Sequence, residues 1–203
     1  MAVTLFGVTF TEAHSVQPEV PQTELVVVRD LAAICGESEY ASSEPTDEQL
    51  DAFTAVISAY CNRGPVLPAP IGVVFRARES VQRWIELHYV SLSDALGFVD
   101  DRIVARVHVW RPGVPEEREV GSDLAAVAAE SMRTLRRSAV STLPLRAEKL
   151  TGIVLSAAFL VEKELWKEFV GQVEEQGRGA PNLRFEVTGP WPPYDFVQMQ
   201  LGT

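Results

Sequence analysis

Three of the four positions from 190 to 193 are proline, in a stretch that reads Gly189, Pro190, Trp191, Pro192, Pro193, Tyr194, Asp195, Phe196, Val197. Each proline holds φ at about −65° and removes a backbone donor. No helix interior or central strand can run through such a stretch, so the strand before it is expected to end there. The stretch itself is expected to be stiff and close to polyproline II, with little entropy left to lose on docking. Trp191, Tyr194 and Phe196 add large faces with few rotors. Gly189 permits a close backbone approach ahead of the first proline. Two roles fit these residues. One is a closing strap that turns Trp191 and Phe196 inward; the other is a preorganised surface for another protein, with Tyr194 outward.

The rest of the chain alternates between the two hydrophobic periods. Residues 3–10 read as a strand. Residues 24–28 are continuously apolar and β-branched, which suits a central strand. The acidic stretch 36–45, with Glu37, Glu39 and Glu44, reads as a loop. Thr46 and Gln49 have capping-box spacing. The helix behind them places Leu50, Phe53, Ile57, Tyr60 and Cys61 on one face, and residues 62–65 stop it.

Residues 66–75 are extended, with Pro68 and Pro70 marking a sheet edge. A second helix from Arg78 carries the stripe Val81, Trp84, Ile85, His88, Leu92, Ala95, Leu96 and Val99. Ile103, Ala105, Val107 and Val109 then alternate with Val104, Arg106, His108 and Trp110 as a half-buried strand. A helix from Asp123 to about residue 138, capped by Ser122, turns Leu124, Val127, Met132 and Leu135 inward. A strand over 150–161 leads to a helix burying Leu165, Phe169 and Val173. A last strand follows, with Leu183, Phe185 and Val187 on one face. The reading is an α+β fold of two lobes: a domain over 1–111, a Pro- and Gly-containing linker over 112–122, and a domain over 123–203.

At 203 residues the chain suits one large domain or two small ones. Its net charge of −10 argues against binding nucleic acid or anionic membrane. The longest near-apolar run, 152–161, is half the length a spanning helix needs. The N-terminus reads as a strand rather than a signal peptide. Cys35 and Cys61 have no CxxC partner and read as free thiols in a reducing cytosol, which makes the protein cytoplasmic.

Catalytic and ligand-binding patterns are scarce. His14, His88 and His108 have no metal-ligand spacing, and no GxSxG, GxGxxG or GxxxxGK[ST] is present. His88 reads as a packed histidine on its helix stripe, and His108 as a solvated neighbour of Arg106. No catalytic residue, metal or cofactor is expected. Two alternatives stay open. One is a small-molecule-binding regulatory module, which needs a deep apolar pocket. The other is an enzyme using scattered residues such as His88, Asp100 or Arg102.

The Gly189, Pro190, Trp191, Pro192, Pro193, Tyr194, Phe196 series closely resembles the C-terminal signature of the gas vesicle protein F/L family. Residues 65–75, with Leu67, Pro68, Gly72 and Phe75, resemble that family's proline-rich strand. Residues 152–164 resemble its strand entering a helix. Pro70 stands where the family usually has Arg, and Ile71 where it usually has an aromatic residue, which marks a divergent, compact branch. The resemblance implies two lobes, each a modified ferredoxin-like antiparallel sheet with helices packed on one face. It implies a non-enzymatic accessory or structural role in gas vesicle assembly, and a location with the vesicle. The implied partners are the small hydrophobic shell protein and other accessory proteins. The Gly189–Phe196 signature and the Leu67–Phe75 strand are the implied interaction or structural residues.

Overall fold

The computed structural model describes residues 1–12, 20, 23–38, 45–112, 122–146 and 152–197. Two compact units make up the chain. One comprises Met1–Asp101 and the chain from Pro192 on; the other is Arg102–Trp191. The fold class is the expected one: α+β, with an antiparallel sheet in each unit.

The boundary is not the expected one. It falls between Asp101 and Arg102 rather than within 112–122, because among the described residues the strand that begins at Arg102 pairs only with later strands. The stretch from Pro192 on returns to the first unit instead of closing the second. Most of the expected linker, 113–121, lies outside the described residues, as do the Ser122 side chain and His14.

In the first unit β1 (Ala2–Phe10), β2 (Thr23–Val28), β3 (Leu31–Ser38) and β4 (Val66–Pro68) take the order β2-β3-β1-β4, and β5 (Val74–Phe75) also pairs with β1. The apolar run 24–28 is therefore an edge strand, not a central one. The strand beside it, β3, is buried from Leu31 through Gly36. Residues 36–38 end β3 rather than forming a loop, and residues 39–44 lie outside the described set. β4 and β5 lie in succession along β1, as one edge strand interrupted at Pro70–Gly72.

Both faces of this sheet are covered. α2 (Arg78–Val99) packs Val81, Trp84, Ile85, Leu92, Leu96 and Val99 against Leu31, Ala33 and Cys35 of β3. α1 (Asp47–Cys61) packs Phe53, Val56, Ile57 and Tyr60 against Ile34, on the opposite face of the same strand. A bulge in β1 between Leu5 and Gly7 keeps Val3, Leu5 and Val8 on the α2 side despite their odd and even numbers, while Phe6 goes to the α1 side. Two core layers thus sandwich one sheet, where a single helical layer was expected.

The second unit runs β6 (Arg102–Trp110), α3 (Ser122–Arg136), β7 (Ser141–Pro144), β8 (Ile153–Glu162), α4 (Trp166–Gly179), β9 (Arg184–Trp191). Its sheet order β7-β8-β6-β9 is that of the βαββαβ ferredoxin-like motif. Both helices lie on one face. Leu135, Phe169 and Val173 pack on Ala105, Val107, Phe159 and Val161. Phe159 and Phe169 meet with ring centroids 5.2 Å apart. Val127 and Leu165, expected inward, are exposed; Ala128 and Ser131 take the buried positions on α3.

Candidate functional site

β9 is an edge strand of its sheet, and it does not stop at the first proline. It continues through Pro190 to Trp191, which stands opposite Val104 of β6. An edge strand needs donors on one side only, so a proline facing away from β6 removes no ladder bond. One extra residue bulges out of β9 between Thr188 and Trp191. Gly189 occupies this bulge with φ +128°, and the Gly189–Pro190 peptide is cis. A Cβ there would stand 2.7 Å from the Val104 carbonyl oxygen and 3.1 Å from the Trp166 ring. Only glycine fits.

Trp191 is 41% exposed, not turned inward. Its indole N–H donates to Thr188 Oγ1 at 3.1 Å, and the Arg106 guanidinium carbon lies 5.9 Å from its ring centroid. The ring is therefore held from two directions while much of it stays open to solvent. The chain then turns. Pro192 accepts from the Tyr194 amide at 2.8 Å and Pro193 from the Phe196 amide at 3.0 Å, so 192–196 is a tight turn rather than a polyproline helix. Pro193 is buried, and Tyr194 and Phe196 are half-buried. Tyr194 packs against the α1 core and Val197 against the α2 core. The expected orientation is thus reversed: tryptophan outward, tyrosine inward.

The proline-rich strand pairs with β1 inside the first unit. Leu67 and Pro68 are buried beside β1. Phe75 packs on Trp84 at 5.9 Å between centroids. Gly72 is exposed, with φ +85°, at the turn that interrupts the strand. Next to it Ile71 presents an exposed side chain.

The titratable groups considered above serve local contacts. His88 donates from Nδ1 to the Trp84 carbonyl at 2.9 Å and stacks on the Trp84 ring. Asp100 Oδ1 accepts from the Asp101 amide at 3.0 Å, and Arg102 pairs with Glu162 at 3.3 Å. His108 is not a solvated neighbour of Arg106. Its Nδ1 lies 2.7 Å from Ser156 Oγ, and burial holds its pKa below the usual histidine value, with Glu186 opposing and Arg106 reinforcing. Burial pushes the Cys35 thiol up to about 12, with the Glu24 carboxylate adding to the effect. Such a thiol is inert at neutral pH. Among the described residues no three His, Cys, Asp or Glu side chains gather as metal ligands. No helix among them is long and apolar enough to cross a membrane. The first unit has a cleft of about 740 Å³, whose lining mixes Glu24, Glu37, Glu79 and Arg78 with Val3, Phe6 and Val56.

The sequence profile described as gas vesicle synthesis protein GvpL/GvpF matches this chain over residues 4–139 and 115–198. The chain belongs to the GvpL/GvpF family. Membership gives it an accessory role in making gas vesicles. Gas vesicle protein F2 of Halobacterium salinarum is 26% identical, over 87% of this chain and 81% of that protein. Gas vesicle protein L of a Streptomyces is 27% identical, over 94% and 88%. The crystal structure of GvpF from Anabaena sp. PCC7120 superposes with a TM-score of 0.77 at 16% identity, over 98% of this chain and 97% of that one. GvpF from Microcystis aeruginosa gives 0.72 at 14% identity. These GvpF structures share the fold of this GvpL/GvpF chain.

Proposed function

We propose that this protein works by holding protein surface rather than by chemistry: it binds the hydrophobic gas vesicle shell protein and other accessory proteins during assembly. A shell subunit exposes apolar surface before it polymerises, and uncovered apolar surface aggregates. An acidic partner that covers it keeps the complex soluble; this chain carries a net charge of −10. The observation that carries the reading is Trp191. It is an open indole at a sheet edge, fixed by Thr188 and Arg106, in a chain of the gas vesicle synthesis family. A fixed aromatic face loses little entropy on docking, which is the usual property of an interface anchor.

The test is co-purification of the shell protein with tagged full-length chain. Trp191→Ala is expected to lower recovery about tenfold, the effect of one anchor worth roughly 1–2 kcal/mol. Its thermal midpoint should stay within a few degrees of wild type. Equal recovery by wild type and variant would refute Trp191 as the anchor. No recovery by either would refute the shell protein as the partner.

A further inference from the structure

α2 buries one face and leaves the other bare. Along the midline of the bare face stand Arg83, Leu87, Val90 and Asp94, all exposed. Leu87 is 76% exposed and Val90 69%, high values for large apolar side chains. Neither Arg83 nor Asp94 has a hydrogen-bond or ion-pair partner among the described residues. The steps between the four are four, three and four residues, the seam spacing of paired helices.

This seam is self-complementary. It inverts onto itself about a point between His88 and Tyr89, with leucine exchanged for valine and the sign of the charge reversed. We propose that the outer face of α2 is a two-fold interface, on which α2 of a second copy of this chain packs antiparallel. The two-fold sets Leu87 against Val90 of the second copy and Arg83 against its Asp94. Both ion pairs form together, because each Arg–Asp step spans about 16 Å of helix. A pattern with the same charge at both ends would repel itself in this arrangement, and a partner without the pattern would leave both charges unanswered.

Gly97 supports the same register independently. It is an exposed glycine inside a helix, and a Cβ there would meet nothing within 4 Å. Among the described residues nothing calls for glycine at that position. One layer beyond the ion pair, the two-fold places Gly97 against Ser80 of the second copy, where small residues let the helix backbones converge. A single helix pair is a small interface, so the dimer is a weak, concentration-dependent one.

Sedimentation equilibrium of the full chain, from about 5 to about 500 µM, tests the proposal. The mass should rise toward twice the monomer value. Leu87→Asp should abolish the rise. Arg83→Asp alone and Asp94→Arg alone should each weaken association about tenfold, since each sets like charges face to face. Arg83→Asp combined with Asp94→Arg should restore it to within about threefold of wild type, because the swapped pattern is again self-complementary. All four positions are on the surface, and circular dichroism at each concentration monitors folding. A monomer throughout the range, a dimer indifferent to Leu87→Asp, or a double swap that fails to rescue would each overturn the proposal. Loss of shell-protein recovery by Leu87→Asp in a chain that stays monomeric would assign this face to the shell protein instead.

Discussion

At Gly189 two constraints coincide: a backbone angle that L residues avoid, and a carbonyl oxygen 2.7 Å from where a Cβ would stand. Gly189→Ala therefore adds backbone strain and an overpacked contact at once. The expected loss is about 2–4 kcal/mol, read as a lower urea midpoint with an unchanged slope. Replacing Gly72 offers a control. It also has positive φ, yet a Cβ there meets nothing within 4 Å, so Gly72→Ala should cost only the strain. The need for glycine at 189 was visible in the sequence; the contact that enforces it was not. That contact depends on β6 lying 85 residues earlier in the chain, and local spacing carries no information about such a partner.

Among the elements, those with a repeating local signal were the legible ones. α1 announces itself through its capping box, and both bonds form: the Gln49 amide donates to Thr46 Oγ1 at 3.3 Å, and the Thr46 amide to Gln49 Oε1 at 2.9 Å. Thr46→Ala should cost about 1 kcal/mol and fray the first turn. Faster amide exchange at residues 48–50, with the rest of α1 unaffected, is the measurement. The stripes of α2 and β6 were equally plain. β3 was not, for two physical reasons. Both of its faces are buried, and among its buried residues Ala32, Ala33 and Gly36 are small, with weak strand preference. Its hairpin to β2 turns at Arg29 and Asp30, where Arg29 takes φ +57° without the usual glycine or asparagine. The bulge in β9 misled for the opposite reason. Prolines forbid a strand only where its donors are needed, and at an edge they are not.

For the whole molecule, the decisive fact is that residues 102–191 form one unit between two parts of the other. Hydropathy gave no hint of this, because Tyr194 and Val197 look the same whichever core receives them. Ending the chain after Trp191 removes Pro193, Tyr194 and Val197 from the first unit and no core residue from the second. The expected loss is about 1–3 kcal/mol, given two half-buried apolar side chains and a buried proline. Hydrogen exchange should show residues 53–60 of α1 losing protection roughly tenfold or more, while residues 169–173 of α4 keep theirs. Equal losses in both helices would mean that the two units unfold as one.

Synthesis proceeds from the N-terminus, and domains ordinarily fold in that order. Here the unit begun first is the one completed last. When Trp191 leaves the ribosome, every strand of the ferredoxin-like unit has been made, yet the unit begun first still lacks Tyr194 and Val197. Until residues 192–197 follow, the cores of the first unit lack the cover of Tyr194 and Val197, so the nascent chain carries partly unsealed apolar surface through the synthesis of the whole second unit.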